Sequence, residues 1–461
     1  METQETFKKF LEIVKKYKHF CPLVFNHVHI GTTNAKSYCC VAKEKVLINV
    51  PTTSERKLTD YWNSEIVNKD RANMLFNSPK GKLKECKICW DEEKIGAKSY
   101  RHLAIERYSP GEHDSSEAEV LNLIENVEAV EQGNKVPNMP SSYDIKFGNL
   151  CNLKCPSCNP DNSSQMYKEI KENKKLFNEI DKEHYYLTTE NDFKWIENKE
   201  WWKVFEEATA TPTKLYRFKS TGGEPLLNKS LITYLKKLIT DGKAKDIKLN
   251  LVTNGIKISK DLLVNVLNKF KRCSLTISID GTNKEYEYLR FPGKWKVLDS
   301  NVKQGYKLDI PNVKFMIHPT LSAMNVLSVL QVYKYALGIS TLNGPAYNFE
   351  FARIGSIATA WDPEHICITN LLNDNMKTKV IDHYNNYIDS FKKSYPFANK
   401  RVKEDYISQF KDIIKLVESS KADPVYVQKF VKYIKIIDSL RNTSFEKSCP
   451  KEYHLFKEYF E

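Results

Sequence analysis

A chain of 461 residues, 41% hydrophobic and 12% aromatic, has material for two or three domains with buried cores and suits a soluble globular protein. No stretch approaches the run of about 18 apolar residues that a membrane-spanning helix needs, so no membrane partner is expected. The formal charge of +13 fits a lysine-rich solvated surface or a protein that meets a polyanion such as nucleic acid, and no compact arginine-rich block favours the second.

Residues 1–110 open with an amphipathic helix over Met1–Phe20, with Phe7, Phe10, Leu11, Val14 and Tyr17 on one side. The segment carries acidic residues and no apolar signal core, so a secretory signal is not expected. Five of the eleven cysteines follow: Cys21, Cys39, Cys40, Cys86 and Cys89. Clustered cysteines fit a reducing compartment and metal binding better than a disulfide framework, and a cytoplasmic protein is expected. Residues 111–139 are acidic, with one helix around Glu117–Glu131, then Gly133 and two prolines, and read as a linker.

Residues 140–352 alternate strands with helices. The expected strands are Tyr143–Phe147, Leu215–Ser220, Ile247–Val252, Ser274–Ile279, Val313–Ile317 and Tyr347–Phe351, separated by helical runs such as Lys229–Ile239 and Lys260–Phe270. This alternation predicts an α/β fold with a parallel sheet, and six such units suggest a partial (βα)6 barrel. Residues 353–461 read as a lysine-rich helical region. Its amphipathic runs Tyr406–Val417 and Val425–Leu440 either pack on the barrel or offer a recognition surface.

In such barrels functional groups gather where strands end. After the first expected strand comes Asn149-Leu150-Cys151-Asn152-Leu153-Lys154-Cys155-Pro156-Ser157-Cys158. With 11 Cys in 461 residues, a C-x3-C-x2-C spacing arises by chance roughly 0.006 times. Three thiolates on one loop can hold three irons of a 4Fe–4S cube and leave the fourth open to a ligand. A zinc loop with a distant fourth ligand, or unliganded core thiols, are the alternatives. Gly222-Gly223-Glu224-Pro225 follows the second strand, where glycines let backbone approach a ligand or simply form a tight turn. Thr253-Asn254-Gly255 follows the third and reads as a ligand contact or an ordinary turn. Ser278 and Asp280-Gly281 end the fourth. Arg290 beyond it can pair with a carboxylate or make a surface salt bridge, and His318 after the fifth is a structural or cavity-lining residue.

Taken in order, these motifs over residues 140–320 resemble the radical S-adenosylmethionine (SAM) superfamily. The resemblance implies that Cys151, Cys155 and Cys158 hold a 4Fe–4S cluster whose open iron chelates the amino and carboxylate groups of SAM. An electron from the cluster would break a C–S bond of the sulfonium, giving methionine and a 5′-deoxyadenosyl radical that abstracts a substrate hydrogen atom. Gly222, Gly223, Glu224 and Pro225 would then receive the SAM amino group. Asn254, with Ser278, would meet the ribose region, and Arg290 the SAM carboxylate. A reductase or flavodoxin-type donor would supply the electron.

The run Cys21-Pro22-Leu23-Val24-Phe25-Asn26-His27, then Asn34-x4-Cys39-Cys40, resembles the auxiliary-cluster domains called SPASM or twitch domains, with Asn34 where a turn glycine usually stands. Tyr61-Trp62-Asn63-Ser64 and Cys86-Lys87-Ile88-Cys89-Trp90-Asp91-Glu92-Glu93, with Gly96, Ser99 and Arg101, belong to the same likeness. In better-known members this domain follows the barrel. Here it precedes it, as in a phage-carried group. The likeness implies a small α+β domain with a second Fe–S cluster on Cys21, Cys39 or Cys40, Cys86 and Cys89. Adjacent cysteines rarely both ligate one metal, and zinc suits the same thiolates. Cys273, Cys367 and Cys449 have no partner spacing and read as buried thiols.

The function expected is thus that of a radical SAM oxidoreductase or modifying enzyme, acting on a peptide, protein, nucleotide or sugar. The alternative is a zinc-stabilised nucleic-acid-binding protein without catalysis, which leaves Gly222-Gly223-Glu224-Pro225 and Asn254 unexplained. An Fe–S electron carrier would need a fourth ligand near Cys151.

Overall fold

The structure is a computed structural model that describes residues 2–42, 58–76, 81–94, 98–109, 115–182, 185, 187–209, 215–340, 353–354, 358–359, 363–394 and 400–461. The expected strand Tyr347–Phe351 and Gly96 lie outside the described residues. The chain divides into two compact units. The first comprises Met1–Gly148, Thr189–Gly222 and Gly242–Leu249, and the second Asn149–Thr188, Gly223–Asp241 and Asn250–Glu461.

In the first unit, strand β1 (His27–Ile30) pairs antiparallel with β2 (Lys36–Ser37) and parallel with β3 (Ser142–Lys146), which pairs parallel with β4 (Arg217–Thr221). Asn34 turns β1 into β2 with φ 66°, a conformation its short amide side chain tolerates better than other non-glycine residues. One face of these strands is apolar. Tyr143 and Phe218 lie there under Phe205, with ring centroids 5.3 and 6.2 Å away. Phe205 belongs to the helix Lys199–Ala208, whose Trp202 stacks on Phe147 beyond the end of β3.

The helix Glu117–Glu131, within the stretch read as a linker, is a packed element. Val120, Leu123, Ile124, Val127 and Val130 are buried, and the helix packs on Glu2–Lys16 and Pro22–Asn26. Ser116 and Glu119 close a capping box at its start. Asn126, fully buried, donates to the carbonyl of Phe25 at 2.8 Å and accepts from the amide of Asn138 at 3.0 Å. Of the acidic residues that suggested a linker, Glu125 is exposed, whereas Glu119 is buried and pairs with Arg217 at 2.7 Å.

Strand β5 (Lys248–Thr253) crosses from the first unit into the second. In the second unit β6 (Arg272–Ser278), β7 (Val313–His318) and β9 (Arg353–Ile354) are parallel neighbours, and β8 (Thr320–Leu321) pairs parallel with β10 (Ala358–Thr359). Parallel pairing with intervening helices is the α/β organisation expected, consistent with a partial barrel. The helix Lys229–Thr240 forms as expected, whereas Lys260–Phe270 becomes a π-turn at Leu262–Val266 followed by a 3-10 turn at Leu267–Lys269. The C-terminal region supplies the long helices Asp374–Ser394, Lys400–Glu418 and Pro424–Arg441, the first two joined to the helix Val329–Ser340 by an aromatic cluster of Tyr333, Phe391, Tyr406 and Phe410.

Candidate metal centre and cofactor site

The loop after β3 carries Cys151, Cys155 and Cys158 as free thiols, with Cys155 buried and the other two partly exposed. Two serines at the start of the helix Ser164–Glu172 tie it down. Ser164 Oγ accepts from the Cys151 amide at 3.1 Å, and Ser163 Oγ donates to the Leu153 carbonyl at 2.5 Å while accepting from Met166 N–H. A turn closes the far end, with Cys158 N–H donating to Cys155 O at 3.0 Å. Burial, then the neighbouring sulfurs, push Cys151 and Cys158 up to about 12. Burial also raises Cys155, against the pull of Arg290. Metal binding at this loop must therefore displace protons from thiols that hold them tightly.

The second motif is seated on this loop. The Gly223 amide donates to Asn162 O at 3.1 Å and the Glu224 amide to Leu150 O at 2.7 Å. Gly223 has φ +56°, and a Cβ there would stand 2.6 Å from the Leu150 carbonyl oxygen. Gly222, at φ +73°, meets the Lys146 side chain as closely as 2.7 Å from where a Cβ would be. Both positions demand glycine for conformation and for space. Glu224, 2% exposed, spends its carboxylate on protein donors: Thr253 Oγ1 and the Asn254 amide at 2.6 Å each, and the Leu226 amide at 3.1 Å. Burial raises its pKa against those hydrogen bonds. Glu224 thus brackets the end of β5 to the loop, and buried Pro225 opens a short 3-10 turn behind it.

Asn254 reaches the cysteine loop directly, with Nδ2 donating to Asn152 Oδ1 at 2.8 Å and Oδ1 accepting from Ile256 N–H at 3.0 Å. Ser278 ends β6 in register with His318 on β7. Arg290 is buried beside Asp280: Nη2 donates to Oδ1 at 2.8 Å and Nε lies 2.6 Å from Oδ2, while Nη1 stands 3.9 Å from Cys155 Sγ. Asp280 Oδ1 also accepts from Thr320 N–H at 2.8 Å.

The donor chemistry, three thiols on one loop with the Arg290 guanidinium beside Cys155, fits a cluster. Among the described residues no three His, Cys, Asp or Glu side chains close around one metal-ion position. A single tetrahedral zinc would draw its sulfurs to about 3.8 Å from one another. A cube takes each thiolate on a separate iron.

In the first unit Cys21, Cys39, Cys86 and Cys89 line a small cavity of about 20 Å³, together with Tyr38, Trp90, Tyr100 and Arg101. Cys21 is the residue before the helix Pro22–Asn26, and the amides of Leu23 and Val24 favour its thiolate, yet burial pushes it up to about 12. The amides of Tyr100 and Arg101, opening the helix Tyr100–Arg107, act likewise on Cys89. Arg101 is held by Glu93 through bonds of 2.8 and 2.7 Å. Cys40 is exposed. Cys273, Cys367 and Cys449 are buried.

The sequence reading passed over one polar group. In register across β1, β3 and β4 stand His27, Ser142 and Arg217, then His29, Asp144 and Lys219, on the face opposite Tyr143 and Phe218. Lys219 Nζ binds Asp144 Oδ2 at 2.8 Å, and His29 Nδ1 lies 3.7 Å from the same oxygen. Burial alone would raise Asp144, but Lys219 and then His29 hold its carboxyl well below the usual carboxylate range. Burial keeps His27 neutral, lowering it to about 3. Asp144 Oδ1 is buried without a hydrogen-bond partner. Polar residues at alternate positions of parallel strands, whose faces are usually both apolar, were the available signal.

Residues 145–322 match the family model described as Radical SAM superfamily. That match spans 178 of the chain's 461 residues, 145 through 322. Among solved structures it is similar to Streptococcus suis SuiB bound to S-adenosylmethionine, at 14% identity over 70% of this chain and 62% of that one, TM-score 0.33. It is similar also to SuiB bound to precursor peptide SuiA, at 15% identity over 59% and 54%, TM-score 0.31. A third is hexahistidine-tagged anSMEcpe with bound AdoMet, at 18% identity over 55% and 60%, TM-score 0.35. The alignments span about three fifths of those proteins, and likeness at this level assigns them no shared substrate. No curated protein matches the chain.

Proposed function

We propose that the protein is a radical SAM enzyme that holds a 4Fe–4S cluster on Cys151, Cys155 and Cys158 and cleaves SAM reductively. The observation that carries this is the seating of Gly223 and Glu224 directly on the three-thiol loop, with Asn254 bonded to Asn152 between two of its cysteines. When bound, the cluster supplies the single electron that splits the sulfonium into methionine and a 5′-deoxyadenosyl radical. The chain's own part is placement. Gly223 lets its strand-end turn press against the backbone of the cysteine loop, Glu224 and Asn254 tie the end of β5 to it, and Arg290 sets positive charge next to Cys155. Arg290 spends most of its fork on Asp280, so its remaining Nη1 edge is what faces an anionic ligand.

A second Fe–S cluster on Cys21, Cys39, Cys86 and Cys89 is supported by their common cavity and the two helix N-termini beside it. The polar face around Asp144 and Lys219 offers groups for a hydroxyl- or amide-bearing substrate, within the peptide, nucleotide or sugar classes. A flavodoxin-type donor and a cytoplasmic setting complete the reading. Among the described residues no helix is long and apolar enough to cross a membrane.

The deciding experiment is anaerobic reconstitution followed by dithionite and SAM. Release of 5′-deoxyadenosine from the wild type, abolished in Cys155→Ala, is the expected result. Zinc at that loop, or no 5′-deoxyadenosine, overturns the proposal.

A further inference from the structure

The helix Pro424–Arg441 reaches the cysteine loop directly through Tyr433 and, by way of Glu169, through Arg441. Tyr433, fully buried, donates from Oη to the carbonyl of Pro156, between Cys155 and Cys158, at 2.7 Å. Tyr185 stacks on Tyr433 at 6.3 Å and His365 meets it edge-on at 4.7 Å, so the hydroxyl has little freedom to leave. Arg441, 7% exposed, grips Glu169 through Nε and Nη2 at 3.1 and 2.5 Å. Glu169 also takes Lys154 Nζ at 2.5 Å, and Lys154 lies within the cysteine loop, next to Cys155. The Lys154 amide donates to Phe291 O at 2.8 Å, while the Arg441 guanidinium lies 5.6 Å from the Phe291 ring. Arg441 Nη1 is buried and finds no acceptor.

Charge at this place matters. A cube held by three thiolates is anionic and becomes more so on reduction, and potentials of such clusters follow local charge and hydrogen bonds. Arg290, Arg441 and Lys154 stand against Asp280, Glu169 and Glu224, so these charges balance beside the loop and loss of one guanidinium leaves it net negative. Burial magnifies the effect of losing any one of them.

We infer that Arg441 and Tyr433 are positioning residues of the cluster site: Arg441 supplies the buried positive charge that stabilises the reduced cluster, and Tyr433 pins the loop between its second and third thiols. This rests on the reading of Cys151, Cys155 and Cys158 as cluster ligands. It makes the C-terminal helices part of the redox centre rather than a cover for the barrel.

The test is an anaerobic potentiometric titration of the full-length protein, following the reduced-cluster EPR signal that SAM perturbs. At the wild-type midpoint potential, Arg441→Met lowers the ratio of reduced to oxidised cluster about tenfold, which is 59 mV for a one-electron couple. Arg441→Lys recovers most of that loss. Glu169→Gln, which removes a negative charge from the same cluster of groups, shifts the ratio the opposite way. Tyr433→Phe leaves the ratio within twofold and hastens iron loss to a chelator severalfold. Shifts of one sign in Arg441→Met and Glu169→Gln, or shifts below twofold in both, overturn the inference while leaving the cluster reading intact. If Arg441→Met does not fold, Arg441→Lys against Glu169→Gln decides by the same signs. A wild type without iron on the loop, or without a SAM-sensitive signal, overturns both.

Discussion

Arg290 and Asp280 form a two-point ion pair, at 2.8 and 2.6 Å, that leaves one guanidinium nitrogen 3.9 Å from the sulfur of Cys155. Both side chains are nearly sealed from solvent, at 13% and 3% exposure. Losing one partner of such a pair strands the other's charge. Arg290→Met should therefore destabilise the protein by about 3 kcal/mol or more. It should also weaken SAM binding more than tenfold in protein that remains folded. Denaturation midpoints and equilibrium dialysis of SAM check the two effects separately. A variant as stable as the wild type would show that Asp280 is not dependent on its partner.

Gly223→Ala should dislodge the cysteine loop, because its new Cβ has only 2.6 Å to the Leu150 carbonyl. Gly133→Ala provides the control: it also has positive φ, at +77°, but nothing lies within 4 Å. Both changes incur about 1–2 kcal/mol for the left-handed backbone. Only Gly223→Ala should lose iron from the loop and SAM cleavage by more than tenfold. Equal iron in the two variants would refute the contact.

Cys39 lines the cavity shared with Cys21, Cys86 and Cys89, whereas Cys40 is exposed. Cys40→Ala should keep full iron, and Cys39→Ala should lose about half, the share of one of two clusters. Iron and labile sulfide assays distinguish them. The opposite pattern would move the ligand to Cys40.

Glu452 gives a pH signature. Burial pushes it from 4.5 up to about 7, against the amides of Ser328 and Leu327, which reach its Oε1 at 2.7 and 3.0 Å. The native state therefore holds this proton more tightly than the unfolded chain. The contribution of Glu452 to stability falls as pH rises from about 4.5 to 7 and is level above, by up to roughly 3 kcal/mol. Glu452→Gln should gain on the wild type across that window and run parallel to it at higher pH. Thermal unfolding at pH 5 and pH 8 measures the difference, and a constant gap would refute it.

What the sequence disclosed was local. The strand β3 and the strands after it rise from runs of aromatic and β-branched residues, and each motif residue sits at a strand end because the chain delivers it there within a few positions. β1 escaped notice because His-Val-His-Ile alternates histidine with aliphatics, and nothing nearby reveals that Asp144 and Lys219 receive the histidines. The clamp on the cysteine loop was equally hidden: Arg441 and Glu169 are 272 positions apart, and either alone reads as a surface charge. The Glu224 side chain bonds Thr253 and Asn254, partners that only the folded sheet brings to it and that no spacing in the sequence announces.

The pairing of β1 with β3 joins residues 115 positions apart, as between His27 and Ser142. A ribosome adding 5–20 residues each second needs roughly 6–23 s to deliver the later strand after the earlier one. During that interval Cys21, Cys39, Cys40, Cys86 and Cys89 have all been synthesised, while Cys151, Cys155 and Cys158 have not. The five amino-terminal thiols thus stand in the nascent chain before the three of the later loop exist.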